Sequence, residues 1–163
     1  MDFAALSRLL WRERDLLDTL LFKLHEQNLL LVAGDAEWLP RASREIEAVL
    51  ERVGEIEFER AVEFARAASL LGLPTEPSLR DLASAAPEPW GYVLDEHHAA
   101  FVTLATRIQH SAGANRELTV AASRATEAVL AGIDGVQETG RGYAPSGRVE
   151  TLVRRPSLLD EEI

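Results

Sequence analysis

The side chains that come closest to a chemical site are four consecutive residues, Asp95, Glu96, His97 and His98. Asp95 and His98 stand three residues apart, so a helix would place them on one face, as helical bundles do with metal ligands. A di-iron bundle, however, needs a Glu-x-x-His pair on each of two helices, and no histidine in this chain has a Glu three residues before it. We favour a structural interpretation, in which His97 lies at the edge of an apolar stripe and its three neighbours face water.

Phosphotransfer is the other chemistry that an exposed helical histidine could support. No Lys or Arg lies within one helical turn of His98 to hold a phosphoryl group, and Asp95 and Glu96 would repel it. The chain also has no cysteine and no Gly-x-Ser-x-Gly element. We therefore predict that the protein is not an enzyme and holds no cofactor and no tightly bound metal.

Composition and charge narrow the classes of partner. The 163 residues fit one domain, and a hydrophobic share of 47% is typical of a globular protein. The formal net charge of −10 argues against nucleic acid and anionic membranes, because both would repel the chain. The apolar first segment is interrupted by charges, so it neither spans a membrane nor resembles a leader peptide. We expect a cytoplasmic protein.

An acidic run occupies part of the second segment. Its glutamates are Glu45, Glu47, Glu51, Glu55, Glu57, Glu59 and Glu63, and arginines are interleaved with them. Such a run could attract a basic partner, but it is more often the solvated face of a helix laced with ion pairs. We favour the solvated face.

Apolar periodicity predicts the elements that position these residues. Large apolar residues recur with heptad-like spacing at Phe3, Leu6, Leu10, Leu17, Leu20, Leu24 and Leu31, and aliphatic residues step by three and four at Leu39, Ala42, Ile46, Val49, Val53 and Ile56. Each set forms one stripe on a helix, and the short turn at Gly34 makes the two helices antiparallel neighbours. The sequence therefore predicts a coiled-coil-like antiparallel hairpin over residues 3–71. Asp35 can cap its second helix, which starts either at Pro40 or, with a bend, near Ala36.

The sequence after the hairpin indicates further helices. Gly72 followed by Pro74 ends the hairpin, and Ser78 with Asp81 resembles a capping box that opens a short helix to about Ala85.

Two longer helices should follow, at about 89–111 and 116–133. Gly113 and Ala114 separate them, and Asn115 suits the N-cap of the second. Residues 1–134 would then form an all-α bundle domain. Residues 135–163 contain scattered Gly and Pro without a sustained period, so we predict a flexible tail there.

Several segments, in this order, are familiar. They are a leucine-rich first helix (residues 16–21), an apolar run into a Gly-Asp turn (29–35), an acidic second helix with small aliphatic residues (44–50), an Ala-rich helix (121–131) and a Tyr-to-Gly stretch (143–147). The pattern resembles that of the FlgN-type flagellar export chaperones, which have a similar tyrosine-to-glycine signature near the C-terminus.

The resemblance covers about residues 3–147 and implies a cytoplasmic export chaperone. Such a protein would bind the amphipathic C-terminal helices of flagellar hook-associated (hook-filament junction) proteins and keep them unassembled for type III secretion. The export apparatus is a further candidate partner, and we expect a monomer or a weak homodimer. The contrary interpretation is a structural coiled-coil dimerisation or adaptor module without a chaperone role.

A partner-binding surface is predicted along the C-terminal half. The two C-terminal helices, of about 23 and 18 residues, are too short to cover both hairpin helices end to end, so apolar surface is in surplus. The small side chains of the last helix would let another helix approach closely. The predicted contact residues are Leu104, Ile108, Leu118, Ala122, Ala125 and Val129, with the segment around Tyr143 closing over the bound helix. The alternative is that they only complete the intramolecular bundle.

Overall fold

A computed structural model describes residues 2–74, 76–138, 141–143 and 149–151, with the backbone alone from residue 133 onward. Its helices are α1 (Phe3–Ala33), α2 (Leu39–Leu71), α3 (Leu79–Ala85) and α4 (Trp90–Glu138). Two three-residue strands, β1 (Arg141–Tyr143) and β2 (Val149–Thr151), pair antiparallel with Tyr143 opposite Val149. The predicted all-α class is confirmed.

The chain forms two compact units, residues 1–118 and 119–163. The predicted division into a bundle domain over 1–134 and a tail over 135–163 stays a prediction. The backbone of residues 135–138 is helical, because α4 continues to Glu138. The rest of the predicted tail, apart from β1 and β2, lies outside the described residues.

The predicted hairpin is present, and its ends coincide with the first residue of α1 and the last residue of α2. Gly34 ends α1 in the left-handed conformation, with a φ of 69°, which a residue without a Cβ adopts at little cost. Its N–H bonds to the carbonyls of Leu30 and Leu31. These bonds satisfy carbonyls that the helix end would otherwise leave unpaired.

The predicted cap of α2 is wrong. The N–H of Asp35 bonds to the Leu30 carbonyl, so Asp35 still belongs to the end of α1. The helix begins at Leu39 after a turn, with Pro40 in its first turn and Trp38 at the N-cap making no side-chain capping bond. Pro40 is tolerated there because the first N–H groups of a helix have no intrahelical acceptor.

Two apolar clusters hold the first unit together. At the open end of the hairpin α1, α2, α3 and α4 contribute Phe3, Leu6, Leu10, Phe64, Ala67, Leu79, Leu82, Ala83 and Leu94. Further along, α1 and α2 contribute Leu20, Leu24, Ile46, Val49 and Val53. Each fully buried large aliphatic side chain contributes about 1.5–3 kcal/mol of transfer free energy. The stripes predicted for α1 and α2 therefore supply much of the core.

The short helix α3 begins with the predicted capping box. The N–H of Asp81 donates to Ser78 Oγ at 3.1 Å, and the N–H of Ser78 donates to Asp81 Oδ2 at 2.9 Å. The Ser78 hydroxyl also donates to Asp81 Oδ2 at 2.6 Å, and this bond, followed by the one from the Ser78 N–H, holds the pKa of Asp81 below its ordinary value. The helix buries Leu79 and Leu82 in the first cluster.

The predicted break between the last two helices is wrong, since α4 is continuous from Trp90 to Glu138. Asn115 does not cap a helix: it is buried, and its Nδ2 donates to the Leu24 carbonyl at 2.8 Å and to Gln27 Oε1 at 3.0 Å. Asn28 Nδ2 donates back to Asn115 Oδ1 at 2.8 Å. A mid-helix glycine such as Gly113 costs about 1 kcal/mol relative to alanine, and these cross-helix bonds, at about 0.5–1.5 kcal/mol each, offset that cost.

Candidate functional site

The first three residues of the predicted partner-binding surface lie in the first unit and are half-buried. Ile108 packs against the second core cluster, and Leu104 lines an open groove of about 450 Å³ together with Trp11 and Asp18 of α1. Leu118 is the last residue of the unit. Leu104 and Ile108 therefore take part in, or lie next to, the packing of α4 on α1.

The other predicted residues lie in the second unit. Ala122, Ala125 and Val129 are exposed, and Val129 keeps 62% of its surface accessible. Steps of three and four place them on one face of α4. Tyr143 is the last residue of β1, and its backbone pairs with that of Val149 in β2.

Exposure is general along this part of α4, because every residue from 119 to 132 is exposed. The apolar residues include Val120 at 44% and Leu130 at 57% exposure, neither of which the sequence prediction included. Leu130 could have been found from the helical period, since it borders Val129 on the flank of the stripe. Large exposed apolar side chains close together on a helix are typical of a surface that binds another protein.

His97 is a buried polar residue of the first unit, with 1% of its surface exposed. The sequence placed it at the edge of an apolar stripe, and that prediction is wrong. Its Nε2 lies 3.1 Å from Ser7 Oγ, and Arg14 Nη1 donates to its Nδ1 at 3.4 Å. The Trp11 ring meets the imidazole edge-on, with centroids 5.3 Å apart. Burial, followed by the charge of Arg14, lowers the pKa of His97, so the ring is neutral at pH 7.

The Ser7–His97 pair has the wrong polarity for nucleophilic catalysis. A guanidinium can only donate, so Nδ1 of His97 must accept from Arg14. The proton of the neutral ring then sits on Nε2, which donates to Ser7 Oγ and has no lone pair to take the serine proton. The pair joins α1 to α4 rather than activating a nucleophile.

A second buried charge lies between α1 and α2. Glu13 is 3% exposed, and Arg60 Nε stands 3.0 Å from its Oε2 without the alignment of a hydrogen bond. Burial raises the pKa of Glu13, and Arg60 partly opposes this. The sequence analysis missed this pair, although Glu13 stands seven residues after Leu6 and seven before Leu20 and so falls on the apolar stripe of α1. That position is the signal that could have indicated its burial.

The residues first considered for metal or phosphotransfer chemistry do not form a common site. Asp95 and Glu96 are exposed and His98 is half-buried, whereas His97 points to Ser7. Among the described residues no group of three or more His, Asp or Glu side chains is arranged to hold a metal ion. Within the same residues, no helix combines the length and the apolar character needed to cross a membrane.

Comparison with protein families identifies the family of this chain. The family model described as FlgN protein matches residues 1–151, most of the chain. The chain belongs to the FlgN family. No curated protein and no solved structure matches it.

The FlgN match extends from α1 through β2, so it covers the whole first unit and residues 119–151 of the second. The resemblance seen in the order of the hairpin, the Ala-rich helix and the Tyr-to-Gly stretch is thereby confirmed. FlgN proteins are flagellar chaperones rather than enzymes. This class agrees with an exposed helix in the second unit and with a Ser7–His97 pair whose polarity does not suit catalysis.

Proposed function

We propose that this FlgN-family protein is a cytoplasmic export chaperone for flagellar hook-associated proteins. It binds their amphipathic C-terminal helices and keeps them unassembled until type III secretion. The family match over residues 1–151 supports the chaperone class. A client helix with an exposed apolar face would otherwise aggregate, so a chaperone must offer an apolar surface to cover it.

The exposed face of α4 in the second unit is the observation that carries this proposal. Ala122, Ala125 and Val129 recur at helical spacing, and no side chain of the described residues covers them. Alanines let a second helix approach closely, while Val129 and Leu130 supply apolar area. We place the client helix here, and Leu104, Ile108, Leu118 and Tyr143 stay predicted contact residues.

Co-purification of the full-length protein with the C-terminal segment of a hook-associated protein tests the proposal. Val129→Asp should reduce client affinity by at least about tenfold, because a carboxylate would be buried against the apolar face of the client. Val102→Asp is the matched control, since Val102 is a similarly exposed valine (54%) on the same helix but in the first unit. It should retain the client.

Both variants should keep the helical far-UV spectrum of the parent, because both side chains are exposed. Ala125→Trp provides a second test by steric block and introduces no charge. The proposed site is wrong if Val129→Asp and Ala125→Trp bind the client like the parent. A stable dimer that binds no hook-associated segment would instead favour the structural adaptor.

A further inference from the structure

The outer side of the hairpin carries an apolar patch in the first unit. Phe58 is 72% exposed and Val62 is 44% exposed. Together with Ala5 and Leu9 of α1 they line an open groove of about 660 Å³, which we call the outer groove. Within the described residues, no side chain covers Phe58.

Charged side chains border the outer groove, but its arginines are already paired. Arg12 contacts Glu59 at 3.2 Å, Arg66 contacts Glu63 at 2.8 Å, and Arg8 lies 3.7 Å from Asp2. In each pair the positive and the negative charge cancel at the rim of the groove. The rim itself is therefore close to neutral.

Unpaired carboxylates continue along α2 from the end of the outer groove. Glu47, Glu51 and Glu55 are exposed and follow one another at four-residue steps toward Phe58. In the described part of the chain none of the three makes an ion pair, although Arg52 lies one turn from Glu55. The three carboxylates outnumber the two arginines within a turn of them, Arg44 and Arg52, which leaves an excess of negative charge. An apolar patch next to such an excess is complementary to an apolar surface bordered by positive charge.

The backbone of α2 is open to close approach at the same place. Gly54 lies one turn before Phe58, and a Cβ added to it would meet no atom within 4 Å. Among the described residues, no close contact therefore accounts for a glycine that costs the helix about 1 kcal/mol relative to alanine.

We propose that the outer groove binds an amphipathic helix of a partner protein whose apolar face is bordered by Lys or Arg. Its apolar side chains contact Phe58 and Val62, and its basic side chains reach Glu51 and Glu55. The net charge of −10 attracts such a partner over distance, whereas it disfavours a second copy of this chain on the same face. The outer groove shares no residue with the proposed client face, and its binding goes beyond the chaperone function.

Two synthetic helical peptides of about 18 residues, or roughly five turns, serve as probes. They share one leucine face, which is bordered by Lys in one peptide and by Glu in the other. Fluorescence anisotropy with the full-length protein should show at least about tenfold tighter binding of the Lys peptide, weakening as salt rises. Equal affinity for both peptides would overturn the proposal.

Two sets of variants locate the binding. Phe58→Ser should weaken the binding of the Lys peptide by at least about tenfold. The control is Phe22→Ser, which alters a phenylalanine of α1 that is 56% exposed, and it should weaken the binding by less than about twofold. The double variant Glu51→Gln, Glu55→Gln should weaken the binding of the Lys peptide by about three- to tenfold and reduce the dependence of that binding on salt. The control pair is Glu37→Gln with Glu76→Gln, which also removes two exposed carboxylates.

The remaining outcomes separate this proposal from the chaperone function. Phe58→Ser should retain the hook-associated client, and Val129→Asp should retain the Lys peptide. Unchanged peptide binding by Phe58→Ser overturns the proposal, as does loss of the client, since the groove would then belong to the client site. Light scattering that shows Phe58→Ser converting a dimer to a monomer would assign the face to a second copy and overturn it too. If the Phe58 variant fails to fold, Val62→Ser is read in the same way.

Discussion

The two parts of α4 differ in how their surfaces are used. Between residues 90 and 115 the helix buries Leu94, His97 and Asn115, and the two polar side chains bond to groups on α1. Between 119 and 132 every residue is exposed, although this stretch is rich in alanine and valine. Large apolar side chains, and polar side chains that bond to α1, hold the first part against the rest of its unit. The second part presents small apolar side chains to solvent. Hydrophobicity alone therefore does not decide which part of a helix joins the core.

The comparison predicts the largest difference in stability for apolar truncations. Leu10→Ala should lower the free energy of unfolding by roughly 3–5 kcal/mol, because a fully buried leucine leaves a cavity in the first core cluster. Val129→Ala should change it by less than about 0.5 kcal/mol, since its side chain is 62% exposed. Urea denaturation followed by far-UV circular dichroism measures both. Similar losses in the two variants would mean that the second part of α4 is also packed.

A smaller effect is expected from the polar contact that keeps the first part of α4 on the hairpin. Asn115→Ala removes a buried amide and leaves Asn28 without its acceptor, so it should cost about 1–3 kcal/mol in the same urea measurement. Arg116→Ala alters the exposed neighbour and should be within about 0.5 kcal/mol of the parent. If Asn115→Ala leaves the free energy of unfolding unchanged, the hydrogen bonds do not offset the cost of Gly113.

The smallest effect concerns the pH dependence contributed by His97. Because burial and Arg14 lower its folded pKa, the unfolded chain binds more protons once the pH falls below the ordinary histidine value of about 6.5. His97 therefore contributes a loss of stability as the pH falls from about 6.5 toward its folded pKa. His97→Gln lacks this titration, so the stability gap between parent and variant should narrow from pH 7.5 to pH 5.

Unfolding curves for parent and variant at each pH check this prediction. Taking the difference between the two proteins cancels other groups, including Glu13, whose raised pKa acts in the opposite direction. A gap that stays constant across this range would mean that His97 is as free to take a proton in the folded protein as in the unfolded one.

Local chemistry accounts for the elements that sequence reasoning located. The ends of α1 and α2 follow from apolar steps of three and four and from two glycines, Gly34 and Gly72, that each adopt a positive φ. The capping box of α3 depends on residues only three positions apart. Interactions within one or two turns decide such features, so they can be recognised without a fold.

Long-range contacts decided the rest. Asn115 suits a helix cap by its type, but its partners on α1 lie about ninety positions away in the chain and make it a buried link instead. The partners of His97 and Glu13 lie on other helices, and a periodic pattern contains no record of them, although it does place Glu13 on the apolar stripe of α1. For the proposed client face, the pattern showed that Ala122, Ala125 and Val129 share one side of a helix. Only the tertiary structure decided that this side is exposed, because burial depends on what the rest of the chain packs against it.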